Sequence, residues 1–208
     1  PPGKILKISL KDVKNRILNN PKSYWSLSKI CIDAKNNQID DRNESISLLE
    51  GVLKTSIRDR MISDVPLGAF LSGGIDSSLV VSLMQSQSKK PIKTFSIGFD
   101  DNRYNESNYA ELVAKSLKTD HETLLVSPKH AIDTIYKIPE LYDEPFSDSS
   151  QIPTFLVSSM SSKSVTVALS GDGGDELFGG YNRYIVTKKI WQYVRLLPYH
   201  VRLIISKM

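Results

Sequence analysis

The stretch Ser72-Gly73-Gly74-Ile75-Asp76-Ser77-Ser78 sets two glycines, an aspartate and three hydroxyls between an apolar run ending at Leu71 and a segment of helical composition. Two glycines let the backbone turn tightly and approach a ligand with no Cβ in the way. Amides at the start of the following helix then face an anion, and the helix dipole adds to the attraction. Ser72, Ser77 and Ser78 add hydroxyl donors. No lysine stands where the G-x-x-x-x-G-K-S/T loop needs one, so this is a different phosphate-loop design. Asp76 alone would repel a polyphosphate. It becomes useful when a divalent cation lies between them, since Mg²⁺ is commonly held by one or two carboxylates plus phosphate oxygens. A plain capping turn would need fewer of these residues.

A second stretch, Ser170-Gly171-Asp172-Gly173-Gly174-Asp175-Glu176-Leu177-Phe178-Gly179-Gly180-Tyr181, holds five glycines and three carboxylates. A surface turn needs one or two glycines. Crowded carboxylates are costly unless cations neutralise them. The alternatives are a flexible acidic loop or a calcium turn, and the spacing does not fit an EF-hand.

The elements that must position these loops can be read from period and punctuation. With Asn43 as N-cap, Ile46, Leu49, Val52, Leu53 and Ile57 fall on one face of a helix. Val65 to Leu71, Thr94 to Phe99, Glu122 to Val126 and Ser164 to Leu169 read as strands. Ser77 to Gln85, Asn105 to Leu117, Ala131 to Ile138, Ile152 to Ser162 and Arg183 to Leu197 read as helices. Tyr109, Leu112, Val113 and Leu117 are the expected apolar side of the second of these helices. Alternating strands and helices imply an α/β fold: an open, mainly parallel twisted sheet with helices on both faces. Ligands in such folds sit beyond the carboxyl ends of the strands, where both Gly-rich loops fall. Residues 1–40 read differently. Pro1-Pro2-Gly3 is a turn, Lys4 to Ile8 is a strand-like run that nothing precedes to pair with, and a polar stretch follows from Asn36 to Arg42. This predicts an appendage over 1–40 and a main domain over 41–208.

Composition narrows the class. The 208 residues are 40 % hydrophobic and 24 % charged, which allows a substantial core and argues against global disorder. The net charge of +4 is spread in short pairs such as Lys89-Lys90, more a solvated surface than a nucleic-acid face. Cys31 is the single cysteine, so no internal disulfide forms, and no secretory signal is read. No apolar run reaches the roughly 20 residues that span a bilayer. The three histidines, His121, His130 and His200, lack metal-ligand spacing. The expectation is a cytoplasmic protein with no nucleic-acid or membrane partner.

The first loop resembles the S-G-G-x-D-S pyrophosphate loop of the N-type ATP pyrophosphatases, which include asparagine, argininosuccinate, GMP and NAD synthetases. The second is similar to the S-G-D/E-G-x-D-E-x-F-G-G-Y signature of glutamine-hydrolysing asparagine synthetases, matched at every fixed position. Val65-Pro66-Leu67-Gly68, Thr94 to Phe99, Asp143 to Ser150, Pro1-Pro2-Gly3 and Tyr24-Trp25 also resemble segments of that family. The resemblance implies a Rossmann-like synthetase domain of the adenine nucleotide α-hydrolase type, with ATP and Mg²⁺ as cofactors. It implies adenosine contacts at Leu71, Ile97, Ser170 and Gly171. Ser72, Gly73, Gly74, Asp76, Ser77 and Ser78 would form the pyrophosphate loop, and Asp76 and Asp175 the Mg²⁺ ligands. Asp172 would serve intermediate formation and ammonia attack, with Glu176 facing the substrate. Asp172 is shorter than the Glu that some members carry. The implied chemistry is activation of the aspartate side chain as β-aspartyl-AMP, with pyrophosphate released, followed by amidation by ammonia. A related amidotransferase or β-lactam-forming ligase with another carboxylate, or an inactive nucleotide-binding module, remain alternatives.

Two departures from the family bear on partners. Its glutaminase uses an N-terminal cysteine, whereas Pro1 stands first here and Cys31 lies in the appendage. The expectation is no glutamine hydrolysis by this chain; residues 1–40 read as the remnant of a missing glutaminase domain plus linker, and the source of ammonia, a glutaminase domain or chain among the candidates, stays open. Family members also continue well past Met208. A truncated domain would expose apolar surface and could self-associate as a homo-oligomer.

Overall fold

The computed structural model describes residues 2–100 and 105–206, so Pro1 of the expected opening turn lies outside the described residues. Contacts divide the chain into two compact units, Pro1–Gly51 and Val52–Met208.

The first unit contains β1 (Lys4–Ile5), α1 (Leu10–Lys14), β2 (Lys22–Ser23), α2 (Leu27–Asn36) and the opening of α3 (Arg42–Arg60). The run expected as a strand over 4–8 is extended only at Lys4–Ile5, and its partner comes from downstream: β1 pairs antiparallel with β2, Lys4 opposite Ser23. A reciprocal Ser9/Asp12 capping box starts α1. The Ser9 amide donates to Asp12 Oδ2 at 2.8 Å, the Asp12 amide donates to Ser9 Oγ at 3.1 Å, and these bonds hold the Asp12 carboxyl below its usual range. The cap of α3 is Asp41, whose Oδ1 accepts from the Glu44 amide at 2.7 Å, two residues before the expected Asn43. An Asp at N-cap satisfies an orphan amide as well as Asn does, so either position was chemically open.

The second unit runs on through β3 (Leu67–Phe70), α4 (Ile75–Ser86), β4 (Lys93–Phe99), α5 (Ser107–Leu117) and β5 (Asp120–Val126). It continues with α6 (Pro128–Ile135), α7 (Ile138–Leu141), α8 (Gln151–Ser161), β6 (Val167–Leu169), α9 (Gly174–Phe178), α10 (Asn182–Val194) and α11 (Tyr199–Ile205). The four strands β3–β6 form one parallel sheet in the order β5-β4-β3-β6. Side chains alternate across it. On one face Ala69 and Leu71 pack with Ile57 of α3, Val81 and Met84 of α4, and Ala110 and Ala114 of α5. On the other, Phe95 packs with Val157 and Met160 of α8, flanked by Phe70, Ile97 and Leu124. Helices thus cover both faces, as the alternation of elements predicts. One expectation holds in part: Val113 and Leu117 of α5 pack against the core as expected, whereas Tyr109 and Leu112 are exposed and the fully buried contacts are Ala110 and Ala114. Only small residues fit where α5 approaches this closely. No described helix is long and apolar enough to cross a membrane.

The chain builds β3, β4 and β5 outward and then returns to place β6 on the other side of β3. That reversal is a topological switch point, and it opens a crevice at the carboxyl ends of β3 and β6.

Between β4 and α5 the buried layer turns polar. Thr94 and Ser96 are buried, and cross-strand pairing sets them opposite His121 and Thr123. Thr94 Oγ1 lies 2.8 Å from His121 Nδ1, while Ser96 Oγ and Thr123 Oγ1 both lie 3.2 Å from Nε2. Burial pushes the His121 pKa down, opposed by Glu111 and by the bond to Thr94. A folded-state value below the ordinary 6.5 means the unfolded chain binds the proton more readily. The stabilisation is therefore complete above pH 6.5 and is lost as pH falls below it. The urea midpoint should drop between pH 7.5 and 5.5, and His121→Gln should show a smaller drop over the same interval. An equal drop in both proteins would exclude His121 as the titrating group.

Candidate active site

β3 ends at Phe70 and β6 at Leu169, and Ala69 pairs with Leu169. The two Gly-rich loops therefore leave the sheet side by side at the switch point.

In the first loop Gly73 adopts φ +81°. A Cβ there would lie 2.6 Å from the Ala110 amide nitrogen and 2.7 Å from Tyr109 Cβ, so both conformation and space demand glycine. Gly74 is the N-cap of α4 and offers no side-chain cap. The loop is held by its own hydroxyls instead. Ser77 Oγ accepts from the Ser72 amide at 3.2 Å, lies 2.9 Å from Ser72 Oγ and donates to the Gly74 carbonyl at 3.2 Å. The Gly74 amide donates to Ser72 Oγ at 3.3 Å.

The second loop presses its glycines onto the first. A Cβ on Gly171 would meet the Ser77 amide nitrogen at 2.8 Å. One on Gly174 would lie 2.5 Å from Asp76 Cγ and 2.7 and 2.8 Å from its carboxylate oxygens. The absence of two side chains brings the loops into contact around Asp76.

A cavity of about 620 Å³ lies between them. Ser72, Gly74, Asp76 and Ser77 line it from one side and Ser170, Gly171, Asp172, Asp175 and Glu176 from the other. A second cavity of about 320 Å³ shares Phe70, Ser72, Thr154 and Val157 as walls with the first, and Leu71 and Ile97 line it. The residues expected at the adenosine thus divide between adjoining cavities. Leu71 is only 1 % exposed and its side chain belongs to the core, which restricts any ligand contact to its backbone edge. Gly73 faces α5 and shapes the loop from behind. Among the described residues Ser78 Oγ is enclosed with no hydrogen-bond partner, and Ser78 lines neither cavity. Phe70, Thr154, Val157 and Tyr181 are further wall residues, beyond those the sequence motifs imply. Thr154 and Val157 stand three apart on one helical face, a signal open to a reading of α8 as lining.

The first cavity carries four carboxylates, and among the described residues no lysine or arginine lines it. Two of the four are tethered. Ser170 Oγ donates to Asp172 Oδ2 at 2.9 Å, and the Tyr181 hydroxyl donates to Glu176 Oε1 at 2.8 Å. That bond to Glu176 is the main cause that raises the Tyr181 pKa. Among the described residues no donor or cation bonds the carboxylates of Asp76 and Asp175, both of which are partly buried. No group of three or more His, Cys, Asp or Glu side chains is gathered for a metal among the described residues. Two carboxylates without a bonded donor on the wall of this cavity nonetheless fit Mg²⁺, which takes few protein ligands and completes its shell with phosphate oxygens and water.

Residues 48–207 match the family described as asparagine synthase. A Methanocaldococcus jannaschii protein provisionally named glutamine-hydrolyzing asparagine synthetase 2 is 41 % identical over 186 residues, 89 % of this chain and 35 % of the relative. Glutamine-hydrolyzing asparagine synthetase 1 of Bacillus subtilis is 39 % identical over 144 residues, 69 % of this chain and 23 % of the relative. The chain spans about a third or less of the length of these curated relatives. Among solved structures, NMN synthetase from Francisella tularensis matches with a TM-score of 0.46 at 17 % identity, over 64 % of this chain and 56 % of that one.

Proposed function

Because the chain belongs to the asparagine synthase family, we propose that its cavity carries out ATP-dependent asparagine synthesis. The aspartate side-chain carboxylate attacks the α-phosphorus of ATP to give β-aspartyl-AMP and pyrophosphate, and ammonia then displaces AMP. The observation that carries this reading is the contact of Gly171 and Gly174 with Ser77 and Asp76, which makes one site of two loops.

Each loop then has a task. The Ser72 and Ser77 hydroxyls and the amides of the first loop exchange their mutual bonds for phosphate oxygens at the start of α4. Asp76 and Asp175 hold Mg²⁺, which when bound neutralises charge between the phosphates and the attacking carboxylate. Ser170 fixes Asp172, the candidate base that takes a proton from incoming ammonium; such a base contributes about 10²–10⁴-fold. Leu71, Ile97, Ser170 and Gly171 flank the adenosine side. Ammonia comes from a glutaminase domain or chain, in keeping with the names of the relatives.

Pyrophosphate release by the full chain with Mg·ATP is the test. Aspartate should stimulate it, and other dicarboxylates and amino acids should not. Equal stimulation by unrelated acids would transfer the site to another acceptor. Release without any acceptor dependence would remove the ligase reading.

A further inference from the structure

The cavity as described lacks a cation of its own. Asp76, Asp172, Asp175 and Glu176 bring four negative charges to its wall. Mg·ATP and a carboxylate acceptor bring more negative charge than one divalent ion offsets. A site of this composition needs a fixed positive group, and the described structure seats one on a wall residue of the cavity.

That group is Arg183, in the first turn of α10. Its guanidinium carbon sits 4.3 Å above the centre of the Tyr181 ring. Tyr181 is a wall residue of the cavity, and its hydroxyl donates to Glu176, another wall residue. Donation to a carboxylate makes the phenol ring more electron-rich, which strengthens its hold on a cation over its face. Glu176, Tyr181 and Arg183 form a chain of contacts running from the cavity to the guanidinium. Stacking leaves the planar edge of the guanidinium open. Among the described residues Arg183 makes no ion pair and donates no hydrogen bond. An arginine held by its face with all five donors unused is prepared for a two-oxygen anion.

We propose that Arg183, seated on Tyr181, is an anion-binding residue of this cavity that takes a carboxylate or phosphate edge of a bound substrate. The proposal rests on the reading of the cavity as an ATP-dependent ligase site. Tyr181 is then a positioning residue, acting through Arg183.

Calorimetric titration of the full chain tests it, with Mg·ATP as one probe. L-aspartate in the presence of Mg²⁺ and non-hydrolysable α,β-methylene ATP is the other. Arg183→Met should weaken one probe about tenfold or more, and the probe affected identifies the anion as phosphate or carboxylate. Arg183→Lys should recover part of the loss, because it keeps the charge without the fork. Tyr181→Ala should reproduce the Arg183→Met loss, Tyr181→Phe should retain more of the affinity, and the double variant Tyr181→Ala/Arg183→Met should bind no worse than either single one. Melting temperatures of the unliganded Arg183 variants should match wild type, since Arg183 is exposed. Arg183→Met binding both probes within twofold of wild type, while wild type binds Mg·ATP, overturns the role of Arg183 alone. Wild type binding neither probe overturns the ligase reading and this proposal together.

Discussion

Asp76→Asn is expected to abolish the thermal stabilisation that Mg·ATP confers on the wild-type chain. A ligand at about 100 times its Kd stabilises the folded state by roughly 2.7 kcal/mol, a readily measured shift. Asp76 and Asp175 are the two half-buried carboxylates of the cavity that no donor or cation bonds among the described residues. Removing one leaves too few protein oxygens to hold Mg²⁺ against polyphosphate, so affinity should fall at least about a hundred-fold, roughly 2.7 kcal/mol. The unliganded protein should lose little, because among the described residues the Asp76 carboxylate accepts no hydrogen bond whose loss would be felt. The metal sets a further signature. In wild type the shift should vanish without Mg²⁺, whereas the Asn variant should respond to ATP equally weakly with or without it, since a neutral amide neither recruits the ion nor repels phosphate. An unchanged Mg²⁺-dependent shift in the variant would remove Asp76 from the metal site.

The loops stand out in the sequence because crowded glycines and carboxylates have few structural uses. The sheet is legible because buried parallel strands are continuous apolar runs, as from Val65 to Leu71. Other features escape for definite reasons. The polar start of β5, at Asp120 and His121, looks like a loop, yet Thr94 and Thr119 give it a hydrogen-bonded setting inside the sheet. The short α9 hides among glycines that by local chemistry read as a turn. The helix α10 is apolar on several sides, so its composition marks a helix without marking a face. The core face of α5 is legible only in part: Val113 and Leu117 reach the core as large apolar residues should, whereas the close approach of the Gly73 turn at Ala110 favours a small residue there, and Ala114 is buried in place of Tyr109 and Leu112. Ser77 and Ser78 are the same residue type, but successive helical positions point about 100° apart, which brings one to the cavity and encloses the other. Composition identifies loop chemistry; which neighbour reaches the ligand depends on rotation and close approach, which a local motif does not encode.

Close approach also separates two alanine substitutions that look alike on paper. Gly73→Ala should cost about 2–5 kcal/mol of stability. A side chain at φ +81° carries about 1–2 kcal/mol of steric strain, and forcing a Cβ into filled space adds about 1–3 kcal/mol. The obstacle there is the backbone of α5, 2.6 Å away at the Ala110 nitrogen, and it moves only if the helix moves. Gly174→Ala meets Asp76 instead, 2.5 Å from Cγ, and a carboxylate on a free χ angle can swing aside. Alanine also restores up to about 1 kcal/mol of helix propensity at the start of α9. Its unliganded stability should therefore stay within about 1 kcal/mol of wild type, while the displaced carboxylate loses its aim and the Mg·ATP shift disappears. Urea midpoints and thermal shifts on the two variants decide the matter. A Gly174→Ala protein that binds Mg·ATP normally would mean that the second loop does not orient Asp76. One that unfolds as readily as Gly73→Ala would mean that the loop contact serves the fold before it serves the ligand.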